Sequence, residues 1–285
     1  MAVRRVLDTP PLVTSADGPT VLSMVHHRDV LPYLLAIKSF VRHVPSSRIV
    51  VIADPTITTF DRTVLSQHIP ALDLRDAVTY RCAQLPTGGT WERLIAIADE
   101  VSRNYTIQLD ADTVTSAPLP EVADATRNNR PFLLCTANGQ TILSCAEVSA
   151  IAKAEPLDEV HIQLLCEALL DKLEGPRQWR YVKACSAFAG FPLGSLDRNL
   201  LIEVSERMES IVGNRWREWG SEQVASNLIL ASMNRALLLP HPKYAMPHWA
   251  NADTAFRHFI GYVRFASPLY AQMATAVSHE LANAH

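Results

Sequence analysis

Two aspartates separated by one alanine, Asp110 and Asp112, stand at the end of the apolar run Tyr105 to Leu109, in the stretch YTIQLDADTVTSAPL. Carboxylates at this spacing, with a small residue between them, can aim at one hard cation. Magnesium or manganese held this way keeps coordination positions open for phosphate oxygens. Asp-x-Asp also arises in loops, where aspartate closes turns and caps helices. Placement separates the two cases. The run before the pair is apolar and β-branched, as in a buried strand, and ligands of open α/β sheets bind at the carboxyl ends of strands.

Other residues could share that chemistry. His258, in HFIGYVRF, is of the type that completes a two-carboxylate metal set, and the nearby Gly261 exposes backbone amides to phosphate. A lone histidine between apolar neighbours is more often a packed core residue. Glu222 and Gln223 open the helix SEQVASNLIL, where the helix dipole favours an acid. Glu222 is therefore either a catalytic carboxylate or a helix-end charge. Ser221 reads as the cap, although Val224 stands where a capping box would place an acid.

The elements that must position these groups follow from periodicity. Thr20 to Val25 reads as a strand ending at His26, His27 and Arg28, and Asp29 could cap a helix over Val30 to His43. Arg48 to Ala53 is a second apolar strand ending at Asp54-Pro55, and residues 58 to 68 look helical. Val78 to Cys82 is expected as a third strand, and Thr90 to Val101 as an amphipathic helix before the strand into the Asp pair. Further on, Pro131 to Cys135 reads as a strand, and Ala146 to Lys153, Asp158 to Leu173 and Leu196 to Val212 as helices. Cys185 to Pro192 is a stretch of small residues that lets a backbone or ligand come close. Strands alternating with helices predict an α/β fold with a mostly parallel central sheet and helices on both faces. Asp54 and Asp110 would then share one sheet edge, with His26 if the first strand runs parallel to theirs. Residues 1–18 are expected as a loose arm, and 269–285 as an amphipathic terminal helix.

Bulk properties narrow the function classes. The chain has 285 residues, 48% hydrophobic and 19% charged, as in a folded globular protein. Its net charge of −3, without a Lys/Arg-dense block, argues against broad nucleic-acid binding. The five cysteines are scattered and form no C-x-x-C pair, which suits reduced core residues of a cytoplasmic protein. The start, MAVRRVLDTPPLV, lacks the apolar stretch of a signal peptide, and no run is long enough to span a membrane. No G-x-G-x-x-G follows the first strand and no G-x-x-x-x-G-K-[ST] occurs, so a dinucleotide fold or P-loop is not expected.

Taken together, the motifs of residues 20–266 resemble nucleotide-sugar glycosyltransferases of the A-type fold, most of all the retaining family eight of glycogenin and bacterial galactosyltransferases. IQLDADTVTSAPL matches the family's metal motif, and TWERLIAI supplies Arg93 at its donor-facing basic position. CSAFAGFP is similar to a family segment with asparagine and glycine but lacks the asparagine, and SEQVASNLIL matches its acid-Gln helix start. HFIGYVRFA is similar to the closing His-x-x-Gly-x-x-Lys-Pro-Trp segment, with Arg264 at the lysine and no Pro-Trp.

The resemblance implies a single A-type domain over residues 19–268, with a nucleotide-binding half (19–119) and an acceptor-side half (120–268). It implies a manganese or magnesium ion on Asp110, Asp112 and His258, and a nucleoside diphosphate sugar donor, UDP-sugar foremost. That donor would meet His26, Asp54, Arg93, Asp110, Gly261 and Arg264. Glu222 and Gln223 would lie on the reacting face of the sugar, and transfer to a glycan, glycolipid or small-molecule hydroxyl would retain configuration. If transfer inverts, Glu222 would be the general base. A peripheral membrane association would suit a glycolipid acceptor, although no strongly basic amphipathic helix carries it. Two other classes stay open: a metal-dependent nucleotidyltransferase or phosphatase, and a non-catalytic nucleotide-sugar-binding module on the same fold.

Overall fold

The computed structural model describes residues 2–157, 160–175 and 177–283. The apolar runs form β1 (Thr20–Val25), β2 (Arg48–Ala53), β3 (Leu72–Asp76), β4 (Thr106–Leu109), β5 (Thr113–Thr115) and β6 (Phe132–Cys135). After them come β7 (Leu143–Ser144), β8 (Arg180–Tyr181), β9 (Ala184–Phe191), β10 (Leu237–Leu238), β11 (Tyr244–Ala245) and β12 (Phe256–His258). Seven strands make the central sheet in the order β10-β6-β9-β4-β1-β2-β3. Strands β3, β2, β1 and β4 run parallel, β10 runs parallel to β6, and β9 alone opposes its neighbours.

Alternation along the strands feeds two cores. Val21, Ile49 and Val51 join one cluster with α1 (Val30–Val41), α2 (Thr59–His68) and the terminal helix (Leu269–Asn283). Leu22, Val50 and Ile52 point the other way, onto a cluster built on Trp91, Leu94, Cys166, Leu201 and Leu228. Those residues sit on α3 (Trp91–Glu100), Ile162–Leu169, Arg198–Val212 and Ser221–Ala231. Counting Pro120–Arg127 as α4 and Cys145–Ala152 as α5, these three are α6, α7 and α8; Val263–Ala266 is α9 and the terminal helix α10. Helices therefore cover both faces of the sheet, as a period of two within fully apolar strands requires.

The small-residue stretch is β9, all eight residues of which are buried. A Cβ on Gly190 would overlap the Tyr105 hydroxyl and the Phe132 ring. Gly190→Ala is thus expected to cost about 3 kcal/mol in urea unfolding; a loss within experimental error would mean that the aromatic pair can move aside.

Several expectations are corrected. The third strand is LDLRD, not Val78 to Cys82, which begins within a 3-10 turn (Ala77–Tyr80). Charge hid this strand: Asp73 pairs with Arg75 at 2.7 Å and with Arg48, and Arg48 and Arg75 both reach the buried Glu100, at 3.0 and 2.9 Å. Asp29 makes no capping bond on α1. The helix expected over Asp158 to Leu173 is α6 followed by a 3-10 turn at Leu170–Lys172; Asp158 and Glu159 lie outside the described residues, as do Ala284 and His285 of the terminal helix. No helix among the described residues is long and apolar enough to cross a membrane.

The N-terminal segment is not loose. Ala2–Asp8 forms a 3-10 helix, buries Val6 and packs on α1 and α10. Lys38 fastens the two residues after this helix, its buried ammonium donating to Thr9 Oγ1 at 2.8 Å and Pro10 O at 2.7 Å. Burial pushes Lys38 down to about 8. Between that value and the usual value near 10.4, the unfolded chain holds a proton that the folded chain has lost, so this group's contribution to stability rises with pH. The buried thiols of Cys135 and Cys145, pushed up to about 11, act in the opposite direction. The readout is therefore a difference: the stability of wild type minus that of Lys38→Met should grow between pH 8 and 10, by about 3 kcal/mol at most over the full window. A flat difference would mean that Lys38 stays protonated throughout.

Candidate active site

Parallel pairing of β2, β1 and β4 brings Asp54, His26 and Asp110 to one sheet edge. The chain turns after β4. The Asp110 amide donates to Ala187 O at 2.8 Å, extending the β9 ladder, and Thr113 Oγ1 donates back to Asp110 O at 2.9 Å. Strand β5 then pairs antiparallel with β12, which sets His258 opposite Thr113. The Phe259 amide closes the corner on Asp112 O at 2.8 Å. A residue far along the chain is thus locked beside the Asp pair by backbone bonds.

One ligand atom from each of Asp110, Asp112 and His258 lies within 4.8 Å of the other two. His258 Nε2 is 3.2 Å from Asp112 Oδ1, and the Gly261 amide points at Asp112 Oδ2 from 3.4 Å. Cys185 Sγ, 3.5 Å from His258 Nδ1, engages the other ring nitrogen and leaves Nε2 facing the carboxylates. Burial raises the Asp110 carboxyl, against the pull of Arg93. Burial works on Asp112 in the same sense, but His258, Arg264 and a backbone hydrogen bond together hold that carboxyl low. Burial would lower His258, yet Cys185 and Asp112 lift it well above its ordinary value. The site thus holds positive charge between its acids. Two half-buried carboxylates converging on a buried imidazole are a donor set that suits manganese or magnesium.

Behind the metal set lies a second cluster. Arg93 is buried and bonds Asp110 with one guanidinium nitrogen, while the other lies 3.4 Å from both oxygens of Glu222. Thr90 Oγ1 donates to Glu222 Oε2 at 3.0 Å, and Ser186 Oγ approaches the same oxygen at 3.4 Å. Burial pushes the Glu222 carboxyl up, with Arg93 opposing it. Gln223 faces the same way but is engaged: its Oε1 accepts from the Ser186 amide at 3.0 Å and its Nε2 donates to Gln163 at 2.9 Å. Ser221 is not the cap of α8. Gly220, at φ +107°, holds that place, and Ser221 Oγ accepts from the Trp91 indole at 2.9 Å, tying α8 to α3.

The remaining candidates sit around this centre. His26 is 3.2 Å from Asp54, whose Oδ1 accepts from the Thr56 amide and hydroxyl at 2.8 and 2.6 Å. The two follow β1 and β2, one and two strands across from Asp110 in the sheet. Arg264 donates to Asp29 Oδ1 at 2.8 Å and, from Nε, to Gly261 O at 3.3 Å, and its charge helps to hold Asp112 low. Thr90, Ser186, Cys185 and Asp29 are participants that sequence reasoning missed. Ser186 could have been found, because the missing asparagine of CSAFAGFP marked that segment. Thr90 stands at φ +75°, a left-handed conformation no sequence pattern announces.

No family model matches the chain, and no curated protein matches it. Solved structures do. The galactosyltransferase LgtC in complex with donor and acceptor sugar analogues is 11% identical over 93% of this chain and 97% of that one, with a TM-score of 0.54. The glycosyltransferase GlyE of Streptococcus pneumoniae TIGR4 is 10% identical over 92% and 62%, with a TM-score of 0.52. The apo bifunctional glycosyltransferase WbbM is 16% identical over 88% of this chain and 47% of that one, with a TM-score of 0.50, so the chain spans about half of its length. The sheet order, the Asp pair at the end of β4 and these likenesses give the chain the A-type fold of nucleotide-sugar glycosyltransferases.

Proposed function

We propose that the protein is a metal-dependent glycosyltransferase that moves a sugar from a nucleoside diphosphate sugar, a UDP-sugar foremost, to a glycan, glycolipid or small-molecule hydroxyl. The observation that carries this reading is the convergence of Asp110, Asp112 and His258 at the strand edge where such folds bind ligands. Manganese or magnesium on these three would supply positive charge to the departing diphosphate. Arg93 keeps one oxygen of Asp110 engaged and so fixes the carboxylate plane. Gly261, whose amide faces Asp112, and Arg264 would meet phosphate oxygens, and His26 with Asp54 would offer hydrogen bonds to base or ribose. Residues 19–119 would form the nucleotide half and 120–268 the acceptor side. The five free cysteines support a reducing, cytoplasmic setting.

In this reading transfer retains configuration. Glu222, neutral or charged, lies beside Arg93 and needs only to stabilise the cationic sugar and orient the incoming hydroxyl. Gln223, held through Ser186 and Gln163, positions that wall of the cleft. Glu222→Gln keeps the shape, so nucleotide binding should be unchanged while turnover falls by about a hundredfold or more. A loss of donor affinity instead would move Glu222 into the donor pocket. The founding test is thermal shift with manganese against a panel of nucleoside diphosphates and nucleotide sugars. A manganese-dependent rise with one nucleotide supports the assignment, and no rise with any would leave a binding module of another kind.

A further inference from the structure

A cavity of about 950 Å³ opens beside the candidate site, between the N-terminal 3-10 helix, the start of α1, α2 and α9. Much of its wall is apolar. At its mouth four large apolar side chains remain in water: Leu7 is 41% exposed, Phe60 73%, Tyr262 80% and Phe265 81%. They come from three separate segments of the chain, so the patch is made by the fold and by no single amphipathic helix. Soluble monomers rarely leave such a patch uncovered without a use for it.

Charge says what covers it. Arg4 and Arg28 line the same mouth, and both are exposed. Asp29 bonds Arg264 at 2.8 Å and lies 3.4 Å from Arg28 Nε, and Asp61 bonds His27 at 2.7 Å, so the lining sets three arginines, Arg4, Arg28 and Arg264, against two aspartates. Exposed Asp8 ends the 3-10 helix, and exposed Arg5 stands on the same turns to offset it. The rim is thus basic around an apolar centre, on a chain whose net charge is −3. Aromatics flanked by arginine are the chemistry of a surface that enters the boundary of an anionic bilayer. A second copy of the chain would set arginine against arginine across a two-fold axis.

We propose that this face docks on an anionic lipid membrane, with Leu7, Phe60, Tyr262 and Phe265 in the acyl boundary and Arg4 and Arg28 on lipid phosphates. Gly261 and Arg264 border both this cavity and the Asp112 side of the metal set, so docking brings the mouth of the cleft to the lipid surface. A hydroxyl carried on a membrane lipid would then be within reach. The docking itself does not depend on glycosyl transfer.

The test is sedimentation of the full chain with vesicles of phosphatidylcholine, with and without phosphatidylglycerol. Binding should be about tenfold tighter to the anionic vesicles and should weaken with salt. The doubles Phe60→Ser/Phe265→Ser and Arg4→Glu/Arg28→Glu should each weaken it by about tenfold at unchanged Tm, since all four side chains are exposed. No sedimentation with anionic vesicles, or sedimentation that both doubles leave intact, overturns the proposal. So does a dimer in light scattering that Phe265→Ser dissolves, which would assign the face to a second copy. None of these outcomes alters the nucleotide thermal shift, so the two readings fail separately.

Discussion

Arg93→Met is expected to destabilise the fold by about 3–5 kcal/mol in urea unfolding. The guanidinium is the one cation placed between Asp110 and Glu222 among the described residues, and all three groups belong to the interior side of the cleft. Removing it leaves two carboxylates facing each other with burial already disfavouring the charge on each. A methionine fills much of the same space, so the loss measures charge and not a cavity. Adding Glu222→Gln should return about half of the loss, because it removes one of the two unpaired acids. A single-mutant loss below about 1 kcal/mol would show that water reaches the pair and screens it. The result also decides a question of role. The resemblance put Arg93 on the donor phosphates, whereas in the structure its bonding nitrogens are taken by protein carboxylates. A stable Arg93→Met variant with weakened donor binding would favour the phosphates. A large stability loss makes Arg93 the residue that sets the metal carboxylate and the candidate catalytic carboxylate at a fixed separation.

How much of this molecule is legible in the sequence depends on how local each signal is. Strands β1, β2, β4 and β6 are buried apolar runs, and the alternation of strand and helix was enough to give the parallel sheet and the shared edge of Asp54 and Asp110. Strand β3 was missed because its stability comes from partners elsewhere in the chain, Arg48 and Glu100, and its own composition is charged. The antiparallel direction of β9 is likewise non-local: CSAFAGFP shows that something must come close, and Gly190 under Phe132 and Tyr105 shows which side chains do. At the site, the convergence of Asp110, Asp112 and His258 was legible because few residue types could hold an ion. Thr90 was not, since a hydroxyl that bonds one buried carboxylate leaves no pattern along the chain; Ser186 was marked only through its segment, CSAFAGFP. Arg264 was legible as a cation, but its partner Asp29 looked like a helix cap until α9 was seen to fold back onto the start of α1.

Asp112→Asn should weaken manganese binding by at least about tenfold and erase most of the manganese-dependent thermal shift given by nucleotide. Asp112 is the hinge of the set: it meets His258 through one oxygen and the Gly261 amide through the other, while its carbonyl receives the Phe259 amide. The backbone bond survives the substitution, so β5 and β12 should stay paired and the apo protein should stay folded. What goes is a full negative charge that His258 holds in its ionised form. His258→Ala should act on the same equilibrium more weakly, because the imidazole must give up its proton to ligate an ion and then contributes no charge, and both carboxylates remain. It also empties a buried space beside Cys185, so it should cost stability where Asp112→Asn does not. The ordering of the two variants is the discriminating result. If His258→Ala abolishes manganese binding and Asp112→Asn spares it, the carboxylate is serving the histidine and not the ion. If neither variant moves it, the ion binds elsewhere, and the Asp-Ala-Asp turn is a corner that fastens β12 to β5.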